Sequence, residues 1–310
     1  MGMKGFKGFE KDFSCGGKQC EENTTYEEYG EGCCYKGVMH FYEDPWEVLN
    51  HYDLVDGNGN LSEFAEVEAL GQVWNDGEKR ATNKIHVGAK LGLKGFLKAC
   101  IDFTLEKTNG TNLSGNSAQI GSSGYSAQIG SSGDSAQIGS SGNSAQIGSS
   151  GYSAQIGSSG DSAQIGSSGN YAQIGSSGYY AQIGSSGYSA QIGSSGDYAK
   201  IGSSGYYAQI GSSGYSAQIG SSGDSAQIGS SGDYAQINST GEDAVIMCAG
   251  RKSKAKGKKG SWITLAEWVK DEEKGRYVPI CVKTERVDGE KIKDDTYYTL
   301  KNGEFSEVEE

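Results

Sequence analysis

Gly115-Asn116-Ser117-Ala118-Gln119-Ile120-Gly121-Ser122-Ser123 opens a run of fifteen successive nonapeptides that closes at Ala249, with the consensus Gly-x-Ser/Tyr-Ala-Gln-Ile-Gly-Ser-Ser. Ile recurs at every ninth position from Ile120 to Ile246, each with Ala two residues before it. A fixed period over so many copies marks a solenoid, whose units bury apolar surface only against their neighbours. Alternation within Ser/Tyr-Ala-Gln-Ile predicts a short strand with Ala and Ile on one face and Gln on the other. Gly-Ser-Ser-Gly then reads as the turn. Two glycines in every nine residues exclude a helix. A disordered Gly/Ser linker has this composition but would not hold an Ile in register fifteen times.

The coil has two readings. Two nonapeptides per coil give a flat two-sheet roll of about 7.5 coils, near 36 Å long at about 4.8 Å per rung. Three per coil give a triangular prism, in which Asn116, Asn143, Asn170, Asp197 and Asp224 would stack as one ladder and Tyr125, Tyr152, Tyr179, Tyr206 and Asp233 as another. The same trace follows from duplication in blocks of three units, and the two-sheet roll is the favoured form. The whole chain therefore reads as mainly β: a parallel β-roll or β-helix over 115–249, an α+β domain over 1–114 and an antiparallel β cap over 250–310.

The repeat resembles calcium-binding nonapeptide rolls, Gly-Gly-x-Gly-x-Asp-x-apolar-x, but Ser or Tyr stands where their ligand Asp belongs. The Asp residues present, Asp134, Asp161, Asp197, Asp224 and Asp233, fall one place earlier and in a third of the units. Without a regular carboxylate, repetitive calcium binding is not expected. Asp56-Gly57-Asn58-Gly59-Asn60 imitates an EF-hand loop, yet its frame puts Leu54 at the first ligand and Ala65 at the twelfth, so it reads as a polar turn. Cys15, Cys20, Cys33 and Cys34 are poorly spaced for tetrahedral zinc and read as ordinary thiols. No metal and no cofactor is expected.

The formal net charge is −12, from 39 acidic and 27 basic residues, which disfavours general nucleic-acid binding and suits a basic protein partner. No apolar run is long enough to span a membrane, and Met1 to Phe6 lacks a signal-peptide core, so a cytoplasmic protein is the expectation. In the first 114 residues, Asp44-Pro45 predicts the start of a short helix, 64–73 and 84–87 predict strands, and 91–103 has helical spacing. After the repeat, Arg251, Lys252, Lys254, Lys256, Lys258 and Lys259 read as solvated charges that block edge pairing. Residues 261–269 and 276–287 read as paired strands, 297–300 and 304–308 as a last hairpin, with Trp262 and Trp268 covering the final Ile rung.

Lys4-Gly5-Phe6 with Cys15, Gly37-Val38-Met39-His40-Phe41, Glu43-Asp44-Pro45 and Phe64-Ala65-Glu66-Val67-Glu68 resemble an uncharacterised N-terminal module of phage and prophage proteins. That family joins it to degenerate repeats of this kind and to a Gly-Ser-Trp-Ile-Thr-Leu-Ala-Glu-Trp segment, matched here at 260–268. The resemblance implies a phage-related origin, in the host cytoplasm or the virion, and no known activity. The module is also distantly similar to an ADP-ribosyltransferase fold, which would give His40 with Glu66 or Glu68 a catalytic role; the usual first-strand His or Arg would fall at Lys4-Gly5. The leading expectation is a non-enzymatic solenoid that binds a protein partner through Tyr125, Tyr152, Tyr179 and Tyr206 with Asp134, Asp161, Asp197 and Asp224, since Tyr gives large contact area at low entropic cost. The oligomeric state stays open.

Overall fold

The structure, a computed structural model, describes residues 2–15, 17–32, 37–107 and 115–308. Alternate nonapeptides feed two parallel sheets. Gln137–Ser140 pairs with Gln155–Ser158 in one, and Gln146–Ser149 with Gln164–Ser167 in the other, Gln on Gln and Ile on Ile eighteen residues apart. The coil is therefore two nonapeptides, and the triangular alternative does not form. Ala, Ile and the first Ser of the closing Ser-Ser pair point between the sheets, as Ala136, Ile138 and Ser140 do, all buried. The paired segment is Gln-Ile-Gly-Ser, two residues later than the alternation predicts. Ser/Tyr and Ala belong to the turn instead.

The turn chemistry differs from the expected one for a steric reason. The glycine that opens each unit lies under the carbonyl of the coil before it: a Cβ on Gly142 would sit 1.9 Å from Gly124 O, and one on Gly187 1.8 Å from Gly169 O. Close stacking, rather than positive φ, requires glycine there. The left-handed residue is the Ser or Tyr two places on, for example Tyr180 at φ 57° and Ser216 at φ 53°. Its amide is tied across the rungs, as Tyr180 N–H donates to Asp197 O at 3.0 Å, and that tie offsets strain of roughly 1 kcal/mol.

The N-terminal residues form a seven-stranded sheet in the order Thr24–Glu27, Lys84–Lys90, Glu63–Ala69, Met3–Phe9, Met39–Tyr42, Lys79–Thr82, Val73–Asp76. Helix α1 (Pro45–Val48) starts where expected, with the Asp44 carboxylate accepting from Trp46 N–H at 2.8 Å, and α2 spans Gly92–Lys107. Trp46 Nε1–H donates to Thr104 Oγ1 at 2.7 Å and to Cys100 O at 3.1 Å, pinning the two helices together.

This domain lies along the outer face of one solenoid sheet, here the covered sheet. Its side chains sit directly over the strand glycines. A Cβ on Gly166 would meet Trp46 at 3.1 Å, on Gly184 Leu97 at 2.6 Å, and on Gly202 Leu54 and Leu61 at 3.1 Å. Gln182 donates to Leu49 O at 2.9 Å and accepts from Leu54 N–H at 3.0 Å, while Gln164 donates to Asn50 Oδ1 at 3.1 Å. Two departures from the repeat fall here: Lys200, in place of Gln, pairs with Asp53, and Asn238, in place of Gly, donates to Asn60 Oδ1 at 3.0 Å. On the opposite, open sheet every Gln and strand Gly is retained through Gly229, and a Cβ on Gly157, Gly175 or Gly193 would meet nothing within 4 Å.

At the C-terminal end each sheet turns from parallel to antiparallel. Val245–Cys248 pairs with Trp262–Asp271, which folds back on Arg276–Arg286. Lys254–Lys256 meets Tyr298–Lys301, which pairs with Glu304–Glu307. Both expected hairpins form. Ile263 and Leu265, rather than the tryptophans, continue the inner columns, and Val287, Ile292, Tyr298 and Leu300 bury the last rung. Trp262 faces outward because it alternates with Ile263, and Trp268 is half-buried with Nε1–H donating to Ala249 O at 2.9 Å. Nor is the basic run wholly solvated. The Lys256 side chain is fully buried, its ammonium 3.1 Å from Asp295 and 4.8 Å from the centre of the Tyr297 ring.

The glycine contacts predict unequal effects of one substitution on the two sheets. Gly184→Ala pushes on Leu97 and should speed amide exchange throughout α2, whereas Gly193→Ala should leave α2 exchange unchanged. Hydrogen-exchange mass spectrometry compares them directly, and equal effects would contradict the docking described.

Candidate interaction surfaces

Because units alternate between sheets, their second and third residues alternate between the two edges of the roll. Tyr125, Tyr179, Asp161 and Asp197 fall on the edge that leads into the covered sheet; Tyr152, Tyr206, Asp134 and Asp224 fall on the other. The every-third-unit columns of the triangular reading are thus split between opposite edges. All four tyrosines are exposed, Tyr125 most at 78%. Three of the aspartates do structural work. Asp161 Oδ1 accepts from Tyr179 N–H at 2.9 Å, Asp197 Oδ1 from Tyr215 N–H at 2.8 Å and Asp224 Oδ1 from Glu242 N–H at 2.8 Å, each tying one coil to the next.

On the first edge the tyrosines make a continuous ladder that the sequence reading missed. Ring centres step from Tyr179 to Tyr180 at 4.5 Å, to Tyr198 at 5.2 Å, to Tyr215 at 5.7 Å and to Tyr234 at 5.0 Å. Local desolvation first, and then the neighbouring Tyr198, raises the Tyr179 phenol above its usual range. Cations close the ladder: Lys252 Nζ lies 5.3 Å over Tyr234, and the Arg251 guanidinium, held by Asp233, lies 4.3 Å over Tyr277. Beyond the adjacent Tyr179 and Tyr180, the steps of 17 to 19 residues that join these rings become visible in the sequence only once the coil is fixed at eighteen. The opposite edge has isolated pairs, Tyr152–Tyr171 and Tyr188–Tyr207.

The residues of the enzymatic reading lie in the N-terminal domain. His40 lines a cavity of about 420 Å³ with Lys7, Cys15, Tyr42, His51 and Tyr52. Glu66 and Glu68 line a different cavity, of about 460 Å³, with Lys4, Phe6 and His86, and the strand Met3–Phe9 runs between their strand and that of His40. Glu68 Oε1 accepts from Gly2 N–H at 3.1 Å. In the first cavity, burial pushes the Tyr42 phenol up to about 12, and burial with the Cys15 hydrogen bond, 3.0 Å long, raises that of Tyr52. Both phenols stay protonated at neutral pH.

The Asp56 loop satisfies itself, with Oδ1 accepting from the amides of Asn58 and Asn60 at 2.8 Å each. Among the described residues no group of three or more His, Cys, Asp or Glu is placed to hold a metal ion, and no helix is long and apolar enough to cross a membrane. Cys15, Cys20, Cys100, Cys248 and Cys281 are free thiols, whereas Cys33 and Cys34 lie outside the described residues.

Residues 3–99 match the family model of a domain of unknown function, DUF7666. That match covers the N-terminal sheet and much of α2 but none of the solenoid. No curated protein and no solved structure matches the chain.

One titration is built into the docked domain. Burial, partly offset by the Trp46 hydrogen bond, raises the Asp44 carboxyl to about 6. Its folded value is above the ordinary one, so its contribution to stability is complete below about pH 4 and is lost as pH rises through about 6. Asp44→Asn retains a capping oxygen without the charge. The variant should match the natural protein near pH 4.5 and exceed it in thermal midpoint at pH 7; a difference that shrinks with rising pH would contradict this.

Proposed function

We propose that this chain is a non-enzymatic β-solenoid interaction protein, whose rod presents a Tyr-, Asp- and Ser-rich edge to a protein partner. The observation that carries the reading is the Tyr179–Tyr234 ladder, five contiguous rings along one edge of a rigid scaffold. Partly exposed tyrosines at a fixed rung spacing offer contact area and hydroxyls with little rotamer entropy left to lose. In the repeat region six Asp and one Glu stand against the single Lys200, which favours a partner with basic character. The resemblance to phage and prophage proteins supports a partner among host or viral proteins, bound in the host cytoplasm or on the virion. The rod then acts as an inhibitor or as a spacer that holds its N-terminal domain at a set distance.

The test is a paired pull-down from host lysate with the natural protein and with a Tyr180→Ser, Tyr198→Ser, Tyr215→Ser, Tyr234→Ser variant. These side chains lie on the surface of the turns, so circular dichroism of the variant should be unchanged. A specific protein retained by the natural chain and lost with the ladder is the expected result. Equal capture by both, or capture that needs only the N-terminal domain, would move the binding function off the ladder.

A further inference from the structure

The two faces of the rod carry the same strand, Gln-Ile-Gly-Ser, and have opposite fates. On the covered face the glycine column is a seat for Trp46, Leu54, Leu61 and Leu97, and Gln164 and Gln182 are hydrogen-bonded to the docked domain. On the open face Gln and Gly alternate outward in the same way, and none of the described residues lies over the glycines. Glycine in a strand interior costs roughly 0.5–1 kcal/mol relative to Ala, and it commonly marks a close approach by another backbone or ligand. At its C-terminal end the same face becomes apolar: Val245, Met247, Trp262, Ile280 and Val282 are each about half exposed or more.

We infer that the open face is the contact between two copies of this chain, packed side by side with their rods parallel. Period is the first reason for choosing a second copy. Seven identical rungs at about 4.8 Å are matched in step along their whole length only by a surface with the same spacing. A helix, with a pitch of about 5.4 Å, falls out of step. On the covered face α2 lies over Gly148, Gly166 and Gly184 through Ile101 and Leu97, and beyond its end Leu54 and Leu61 of a loop take over.

Self-complementarity is the second reason. A two-fold axis parallel to the rod, displaced by half the spacing between columns, sets each Gln column over the glycine column of the other copy. It also keeps both rods pointing the same way, so the apolar ends containing Met247 and Trp262 meet. Area is the third. Ten strands at about 4.8 Å by four residues at about 3.3 Å give a flat face on the order of 600 Å², and the relief of the Gln column raises this towards the roughly 800 Å² per partner of a standard interface. The N-terminal domains lie on the outer faces of such a pair. Both Tyr-bearing edges stay free, so the dimer would present the edge of the proposed function twice, and the inference stands or falls independently of that function.

Sedimentation velocity of the full chain at micromolar concentrations tests it. The natural protein should sediment at twice the mass of one chain. Gly193→Lys and Met247→Lys, each exposed in the single chain, would bury an unpaired ammonium in the pair and should raise the dimer dissociation constant by about tenfold or more, with circular dichroism and thermal unfolding of the chain preserved. Tyr215→Ser, on the edge, should leave the dimer intact. A natural protein that remains monomeric up to about 100 μM, where an interface of this size should be occupied, would overturn the inference. So would a dimer that either folded lysine variant leaves unweakened, or one that Tyr215→Ser dissociates.

Discussion

The structure rests on one constraint, the in-register parallel ladder that stacks every residue of the rod on its equivalent eighteen residues away. No single Ile supplies enough buried surface to order nine residues, and glycine-rich strands have little propensity of their own. Each unit is stable because its backbone groups bond to the rungs on both sides and its Ile and Ala lie on identical neighbours. Such a ladder has no natural end. The chain therefore needs a device that terminates it, and the antiparallel strands Arg276–Arg286 and Tyr298–Lys301 are that device at the C-terminal end.

The period of the sequence is half that of the coil, and this mismatch makes the two faces chemically equivalent. Nothing in the repeat itself tells the N-terminal domain which face to choose or how far along the rod to lie. Three side chains outside the pattern supply that information: Lys200 pairs with Asp53, Asn238 with Asn60, and the Tyr297 hydroxyl donates to Asn58 O. All three meet one loop, residues 53–60. The irregularities on the covered face are thus its addressed positions, and the open face, where none of the described residues docks, keeps Gln-Ile-Gly-Ser unchanged through Ser230.

The Ile period made the solenoid legible in the sequence, because burial on a thin core leaves one residue type at one place; it allowed two or three units per coil, and the pairing eighteen residues apart decides for two. The strand frame was less legible. Gly121 and its equivalents look like turn residues, and on the covered sheet it is the approach of Leu97, Leu54 and Leu61 that gives glycine a reason to stand inside a strand. A local pattern carries no trace of such a tertiary contact. Trp262 and Trp268 misled for a related reason: alternation places two residues on one face but does not say which face is the core, and Ile263 with Leu265 extend the inner columns better than tryptophan could. Within the N-terminal domain the Asp44-Pro45 cap and the strand at 84–87 were local signals and formed as read.

For the surface, what mattered was the distinction between residues that hold the rod and residues that the rod holds out. Asp and Tyr share the second position of the unit and looked alike as candidates for binding. The short Asp side chain reaches the amide of the next coil, and three of the four singled out are engaged there. The Tyr side chain is too long to turn back on the same amide, so its ring lies along the edge and meets the ring of the next rung. Asp at this position therefore strengthens the stack that keeps the coils in step, while each Tyr gives up that bond and adds to the surface. The alternation of Asp161, Tyr179, Asp197, Tyr215 and Asp233 along one edge combines the two: the aspartates fix the spacing at which the tyrosines are displayed.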